Sequence, residues 1–111
     1  MRGINLKQFN EAEVSHHRLI LYIYTPFCGT CTVARAMLEN VEKMHKEDIF
    51  SEMNASMHPE FMQQHKIESV PCLVFMEDGE AVEKVYTFKS TANIYQYLMR
   101  YKPELFTALN N

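Results

Sequence analysis

The chain has 111 residues, 47% hydrophobic and 23% charged, an ordinary globular composition with enough apolar material for one core. A single domain over 1–111 is therefore expected. The formal net charge is −3, from 11 basic and 14 acidic residues, and no basic stripe runs along the chain, which argues against nucleic-acid binding. The N-terminal MRGINLKQFNEAEV has no apolar h-region, and the longest apolar run, LILYIY at 19–24, is too short to span a bilayer. The expected protein is a cytoplasmic one with no membrane partner. Structural disulfides are rare in that compartment, so 3 cysteines point to chemistry or metal.

Residues 5–17 read as a short polar helix with a weak stripe of Leu6, Phe9 and Val14, closed by His16 and His17. RLILYIY at 18–24 is a continuous apolar run of strand length, suited to burial on both faces as in a parallel sheet. Thr25 and Pro26 break it. From Thr30 the period becomes helical, with Ala34, Met37, Leu38, Val41 and His45 on one face. Lys43, His45 and Lys46 crowd its last turn, where cations suit the helix dipole. IFSEM at 49–53 reads as a short alternating strand. Pro59 suits the first turn of a helix running to about Lys66, with Ser56 or His58 near its cap. CLVFM at 72–76 is another buried strand, EDGE at 77–80 a hairpin turn on Gly79, and AVEKVYTF at 81–88 the returning antiparallel strand. Ser90 caps a last helix with inner face Ile94, Tyr97, Leu98 and Tyr101, and Pro103 bends the tail. The order α-β-α-β-α-β-β-α predicts an α/β fold: a mixed sheet of four to five strands with helices on both faces.

TPFCGTC at 25–31 places two cysteines at the junction between a buried strand and a helix. Such a pair is half of a zinc site, a structural staple or a dithiol that trades electrons. A sulfur at Cys28 faces the unpaired N–H groups of a helix N-terminus, which stabilise a thiolate and lower the thiol pKa from about 8.5. Cys31 falls in the first helical turn, expected to be more buried, and Gly29 is expected to ease a tight turn between them. One exposed low-pKa thiol with one buried partner is what dithiol–disulfide exchange requires.

FCGTC after a strand, SVPCLVF some forty residues later and EDGE before the last strand resemble the thioredoxin family, over nearly the whole chain from Asn5 to Tyr101. The resemblance implies a cis Val70–Pro71 bond beside the disulfide, with Val70 and Pro71 forming a ledge for a bound peptide. It implies that Cys28 attacks a substrate disulfide and that Cys31 resolves the mixed disulfide. Several positions depart from the family pattern. Phe27 replaces a tryptophan and Thr30 a proline. Thr87 stands where a groove glycine is usual, and Cys72 where a threonine follows the proline. Tyr22 replaces the buried aspartate, and Glu52 aligns with its partner lysine. Glu52 is accordingly expected to serve as general base or proton relay for Cys31, supported by the Tyr22 hydroxyl. The plainer expectation is that Glu52 points to solvent and Tyr22 packs. The Thr30 hydroxyl is expected to donate to the Cys28 thiolate and make the pair more oxidising.

The expected activity is reduction of disulfides in proteins or peptides, with Phe27, Gly29, Thr30, Val70, Pro71 and Thr87 around the bound segment. No bound cofactor is expected, because the two sulfurs carry the electrons. The resemblance implies recharging by a flavin-dependent thioredoxin reductase using NADPH, and a low-molecular-weight thiol is the alternative donor. The expected protein acts as a monomer. Two other readings stand beside this one: a thioredoxin-fold binding module with little turnover, and an exposed CxxC metal site. Cys72 reads as a small buried hydrophobe. The histidines read as helix-end and loop residues, and Met37, Met53 and Met76 as core filler. A closed zinc site needs four ligands, and no second CxxC exists.

Overall fold

A computed structural model describes residues 1–109, apart from the side chains of 12–16 and 107–109. Val14 and His16, placed on the first helix by its apolar spacing, fall among those undescribed side chains. The strands are β1 (Arg2–Gly3), β2 (Arg18–Tyr24), β3 (Ser51–Asn54), β4 (Cys72–Glu77) and β5 (Glu80–Val85). They form one five-stranded sheet in the order β1-β3-β2-β4-β5. β3 runs parallel to both β1 and β2, while β4 is antiparallel to β2 and β5 to β4. The helices are α1 (Leu6–His16), α2 (Gly29–His45), α3 (Pro59–Gln64), α4 (Thr91–Tyr101) and α5 (Glu104–Leu109).

The alternation of side chains along β2 divides the core in two. Ile20 and Tyr22 face Ala34, Leu38 and Val41 of α2, Ile94 and Leu98 of α4, and Leu105 of α5. Leu21 and Ile23 face the other way, onto Phe9 of α1 and Phe61 of α3. That is why RLILYIY is apolar throughout: residues 20–23 are all buried. Tyr97 and Tyr101 complete the inner face of α4 by stacking on Phe75, 6.0 and 4.7 Å between ring centroids.

Local chemistry sets the element ends. Asn5 and Gln8 exchange side-chain and backbone hydrogen bonds, both 2.9 Å, to cap α1. Pro59 stands in the first turn of α3, with His58 at its cap but making no side-chain capping bond. Ser90 Oγ accepts from the Asn93 N–H at 3.1 Å to open α4. Asp78 and Gly79, with φ of 50° and 84°, make the hairpin turn between β4 and β5.

The strand after that turn is shorter than its sequence suggests. β5 ends at Val85 rather than running to 88, and a bulge interrupts its pairing between Phe75 and Met76. β3 begins at Ser51 rather than at 49, and Ile49 and Phe50, both buried, lead into it with their N–H groups bonded to Glu42. α3 stops at Gln64, and Lys66 takes a left-handed conformation, φ 54°, before β4. β1 and α5 extend the expected order at its two ends.

A buried carboxylate ties α2 to the strand it precedes. Glu42 is 8% exposed. Its carboxylate accepts from the N–H groups of Ile49 and Phe50, at 2.9 and 3.1 Å, and from the amino group of Met1 at 2.8 Å. Glu42→Ala would strand two buried backbone donors, each worth about 1–3 kcal/mol. We expect the urea unfolding midpoint to fall by the equivalent of about 2–4 kcal/mol, with Glu42→Gln, which keeps an acceptor oxygen, losing less.

Candidate active site

The site forms where β2 hands the chain to α2. Cys28 is the N-cap residue of α2, extended at φ −127° and ψ 107°, and its sulfur accepts from the Cys31 N–H at 3.2 Å. Sulfur thus occupies the place usually taken by a serine or aspartate oxygen. Cys28 and Cys31 are joined by a disulfide with Cα atoms 5.2 Å apart. Cys28 is half-buried and Cys31 buried, as their positions in the sequence predict. Thr30 Oγ1 lies 3.4 Å from Cys28 Sγ. Gly29 is not needed for a turn: it begins the helix, and a Cβ placed there meets nothing within 4 Å. Its missing side chain leaves open space beside the sulfurs.

Beneath the disulfide lies a polar network that includes Tyr22 and Glu52. Tyr22 and Glu52 are direct partners across β2 and β3. The Tyr22 hydroxyl, fully buried, donates to the Cys31 carbonyl at 2.6 Å. It is therefore engaged with α2 rather than with Glu52. The Glu52 carboxylate is paired with Arg35, one helical turn beyond Cys31. The Arg35 guanidinium also lies over the rings of Tyr22 and Tyr24, 5.5 and 4.8 Å from their centroids. Burial pushes the Tyr22 phenol up to about 12, against the opposing pull of Arg35. Arg35 escaped the sequence reading because an arginine on a helix passes for surface. Its spacing of four from Cys31 was the available signal.

The register gathers the remaining residues at the same end of the sheet. Ile23 pairs with Cys72 and Leu73 with Val85. The entry to β4 and the exit from β5 therefore lie beside the end of β2. Val70–Pro71, just before β4, is cis, with Val70 half-buried and Pro71 buried. Phe27 is fully exposed next to Cys28, and Thr87 is exposed just past β5.

Cys72 points away from the disulfide, into the core cluster shared with Phe9 and Phe61. Burial pushes its thiol up to about 12, although a hydrogen bond with Tyr86 pulls the other way. Native Cys72 should therefore resist alkylation at pH 8 and react once the chain is unfolded, read by mass spectrometry. Because the folded chain holds the Cys72 and Tyr22 protons more tightly than the unfolded chain, the stability these two groups contribute should be level below about pH 9. It should fall as pH rises from there toward 12, seen as a dropping denaturant midpoint.

The chain matches a family model described as Thioredoxin over residues 2–100. It is 38% identical over 96 residues to the thioredoxin-like protein YusE of Bacillus subtilis (strain 168), covering 84% of this chain and 91% of that protein. Its fold superposes on the thioredoxin of Fasciola hepatica with a TM-score of 0.76 at 17% identity, over 92% of this chain and 100% of that one. The oxidised thioredoxin of Plasmodium falciparum gives 0.74 at 16% identity, over 91% and 97%. The chain belongs to the thioredoxin family, and its paired Cys28 and Cys31 make it a thiol–disulfide oxidoreductase.

Proposed function

We propose that this oxidoreductase reduces disulfides in other proteins, working as a monomer in the cytoplasm. The observation that carries the reading is the pairing of a half-exposed Cys28 sulfur at the α2 N-terminus with a buried Cys31. In the reduced protein the Cys28 thiolate attacks one sulfur of a substrate disulfide. A Cys28–substrate disulfide forms and the first substrate thiolate leaves. Cys31 then gives up its proton and attacks Cys28 Sγ. The Cys28–Cys31 bond forms, the second substrate thiolate leaves, and the substrate has gained two electrons. Phe27, Gly29, Thr30, Val70, Pro71 and Thr87 border the extended segment that carries the substrate disulfide. Their common location at one end of the sheet supports that role.

Glu52 is the proton acceptor or relay for Cys31. Its support is its place opposite Tyr22, whose hydroxyl holds the Cys31 carbonyl. The Tyr22 hydroxyl serves by fixing the first turn of α2. Two sulfurs suffice for the chemistry, so no bound cofactor enters the cycle. Electrons return from a flavin-dependent thioredoxin reductase or from a low-molecular-weight thiol.

A thiol-trapping titration in dithiothreitol buffers tests the direction of the reaction. A midpoint near about −270 mV marks a reductase. A midpoint above about −200 mV marks an oxidising protein instead, and the absence of a reversible couple leaves a binding module or a metal site. The proximity of Thr30 to Cys28 carries a further expectation. Thr30→Val removes a hydrogen bond to the thiolate, and hydrogen bonds to charged groups are worth about 1.5–3 kcal/mol. The midpoint should move to more negative potential by about 30 mV or more.

A further inference from the structure

Val70 and Pro71 stand on the connection between α3 and β4, residues 65–71, which belongs to neither element. The last turn of α3 closes with Ile67 N–H donating to the Met62 carbonyl at 2.9 Å. Just before it the chain has reversed at Lys66, φ 54°. From there to β4 the connection is held from the side, by β5. Lys84 and Tyr86, two residues apart, leave that strand and its continuation on one face. Lys84 pairs with Val74 and Val85 with Leu73, and the same register carried one residue further sets Tyr86 opposite Cys72.

Each of the two side chains takes hold of the connection. The Lys84 ammonium donates to the His65 carbonyl at 2.8 Å and to the Lys66 carbonyl at 3.1 Å. These carbonyls lie at the end of α3, where a cation suits the negative end of the helix. The Tyr86 hydroxyl accepts from Glu68 N–H at 3.2 Å and donates to the Cys72 sulfur. One hydroxyl thus bridges the residues on either side of Ser69, Val70 and Pro71. Tyr86 and Val70 also pack against the same core cluster, which contains Ile67 and Cys72.

We propose that Lys84 and Tyr86 are positioning residues for the substrate: together they brace residues 65–72 from β5 and hold the Val70 backbone ready to pair with an extended peptide. That role rests on the reading of Val70 and Pro71 as the ledge for the segment that carries the substrate disulfide. Backbone pairing needs N–H and C=O groups aimed in fixed directions, because hydrogen bonds weaken steeply as they bend. A segment already ordered loses less conformational freedom when the peptide arrives. Both side chains act through the backbone of the connection and not on the sulfurs. Their effect therefore falls on the binding of extended peptides, and small disulfides that use no ledge escape it.

The test is stopped-flow release of nitrothiobenzoate by reduced protein in excess. One substrate is a linear peptide joined to nitrothiobenzoate through its central cysteine. A second is the same peptide with the backbone nitrogens beside that cysteine methylated, which blocks pairing. The third is the small symmetrical disulfide of nitrothiobenzoate. Tyr86→Phe removes only the hydroxyl and keeps the ring against the core. Lys84→Met keeps the aliphatic stem, and Lys84→Arg keeps the charge and its donors. Tyr86→Phe and Lys84→Met should each raise the half-saturating concentration for the plain peptide about three- to tenfold, the range that one or two ordinary hydrogen bonds correspond to. The limiting rate should stay near wild type, and Lys84→Arg should restore most of the binding. Release from the small disulfide should not change. The penalties of methylation and of Tyr86→Phe should be less than additive, because both act on one pairing. In native wild type the Glu68 amide should be protected from hydrogen exchange, and Tyr86→Phe should remove that protection.

If methylation leaves wild-type binding unchanged, the ledge reading fails and the brace with it. If methylation weakens binding while Tyr86→Phe and Lys84→Met match wild type, the ledge stands and the role given to Lys84 and Tyr86 is overturned. An equal loss on the peptide and on the small disulfide places the effect at the sulfurs and overturns it too. So does a Glu68 amide that exchanges freely in the native wild-type protein, whatever the variants do.

Discussion

A helix must begin with backbone N–H groups that have no partner within the helix, and the site is organised around that constraint. In α2 one of these donors is met by the sulfur of Cys28, which accepts from Cys31 N–H. The bond ties the two cysteines together in the frame of the helix before any S–S bond is considered. It places Cys28 in the half-exposed cap position and Cys31 on the buried side of the first turn. The positive end of the helix dipole then favours negative charge on the sulfur at the cap. Exposure, orientation and thiolate stabilisation thus share one origin.

That junction holds its position because β2 is anchored from both sides. Its inward residues alternate between the cluster under α2 and α4 and the cluster under α1 and α3. A strand packed in this way cannot slip by one residue without reversing every buried side chain. Where β2 ends is therefore strongly specified, and so is the start of α2. The Tyr22 hydroxyl adds a direct link, bonding from the centre of the sheet to the carbonyl of Cys31. The buried Tyr22 hydroxyl would be costly to leave without an acceptor, so its bond to the helix is structural as well as chemical.

The charge arrangement under the disulfide is a redistribution of groups. The sheet supplies a phenol at Tyr22 and a carboxylate at Glu52, and the helix supplies the cation at Arg35. A carboxylate in a partly buried place needs a charged or hydrogen-bonding partner. Placing that partner on α2 couples the carboxylate to the helix that carries both cysteines. Glu42 repeats the principle at the far end of the same helix, where a buried carboxylate meets the N–H groups that lead into β3. Both ends of α2 are thus joined to the sheet through a glutamate, each satisfied in its own way.

Much of this was legible in the residues alone. The period-2 and period-3.6 patterns located β2, α2, β4 and α4. The Asp-Gly turn located the hairpin, and Cys-x-x-Cys at a strand-to-helix boundary located the sulfurs. These features are local: they depend on spacing along the chain and on the conformational preferences of a few residues. What depends on residues far apart was decided only by the tertiary structure. β1 is two residues long and exists because β3 offers it a free edge. β5 stops at Val85 although the apolar pattern continues. The destinations of Tyr22, Arg35 and Glu52 follow from the register of β2 on β3 and the rotation of α2 above them. Sequence spacing determines which face of an element a side chain leaves from. Which group it meets there depends on how the elements pack, because hydrogen bonds and ion pairs form only over a few ångströms.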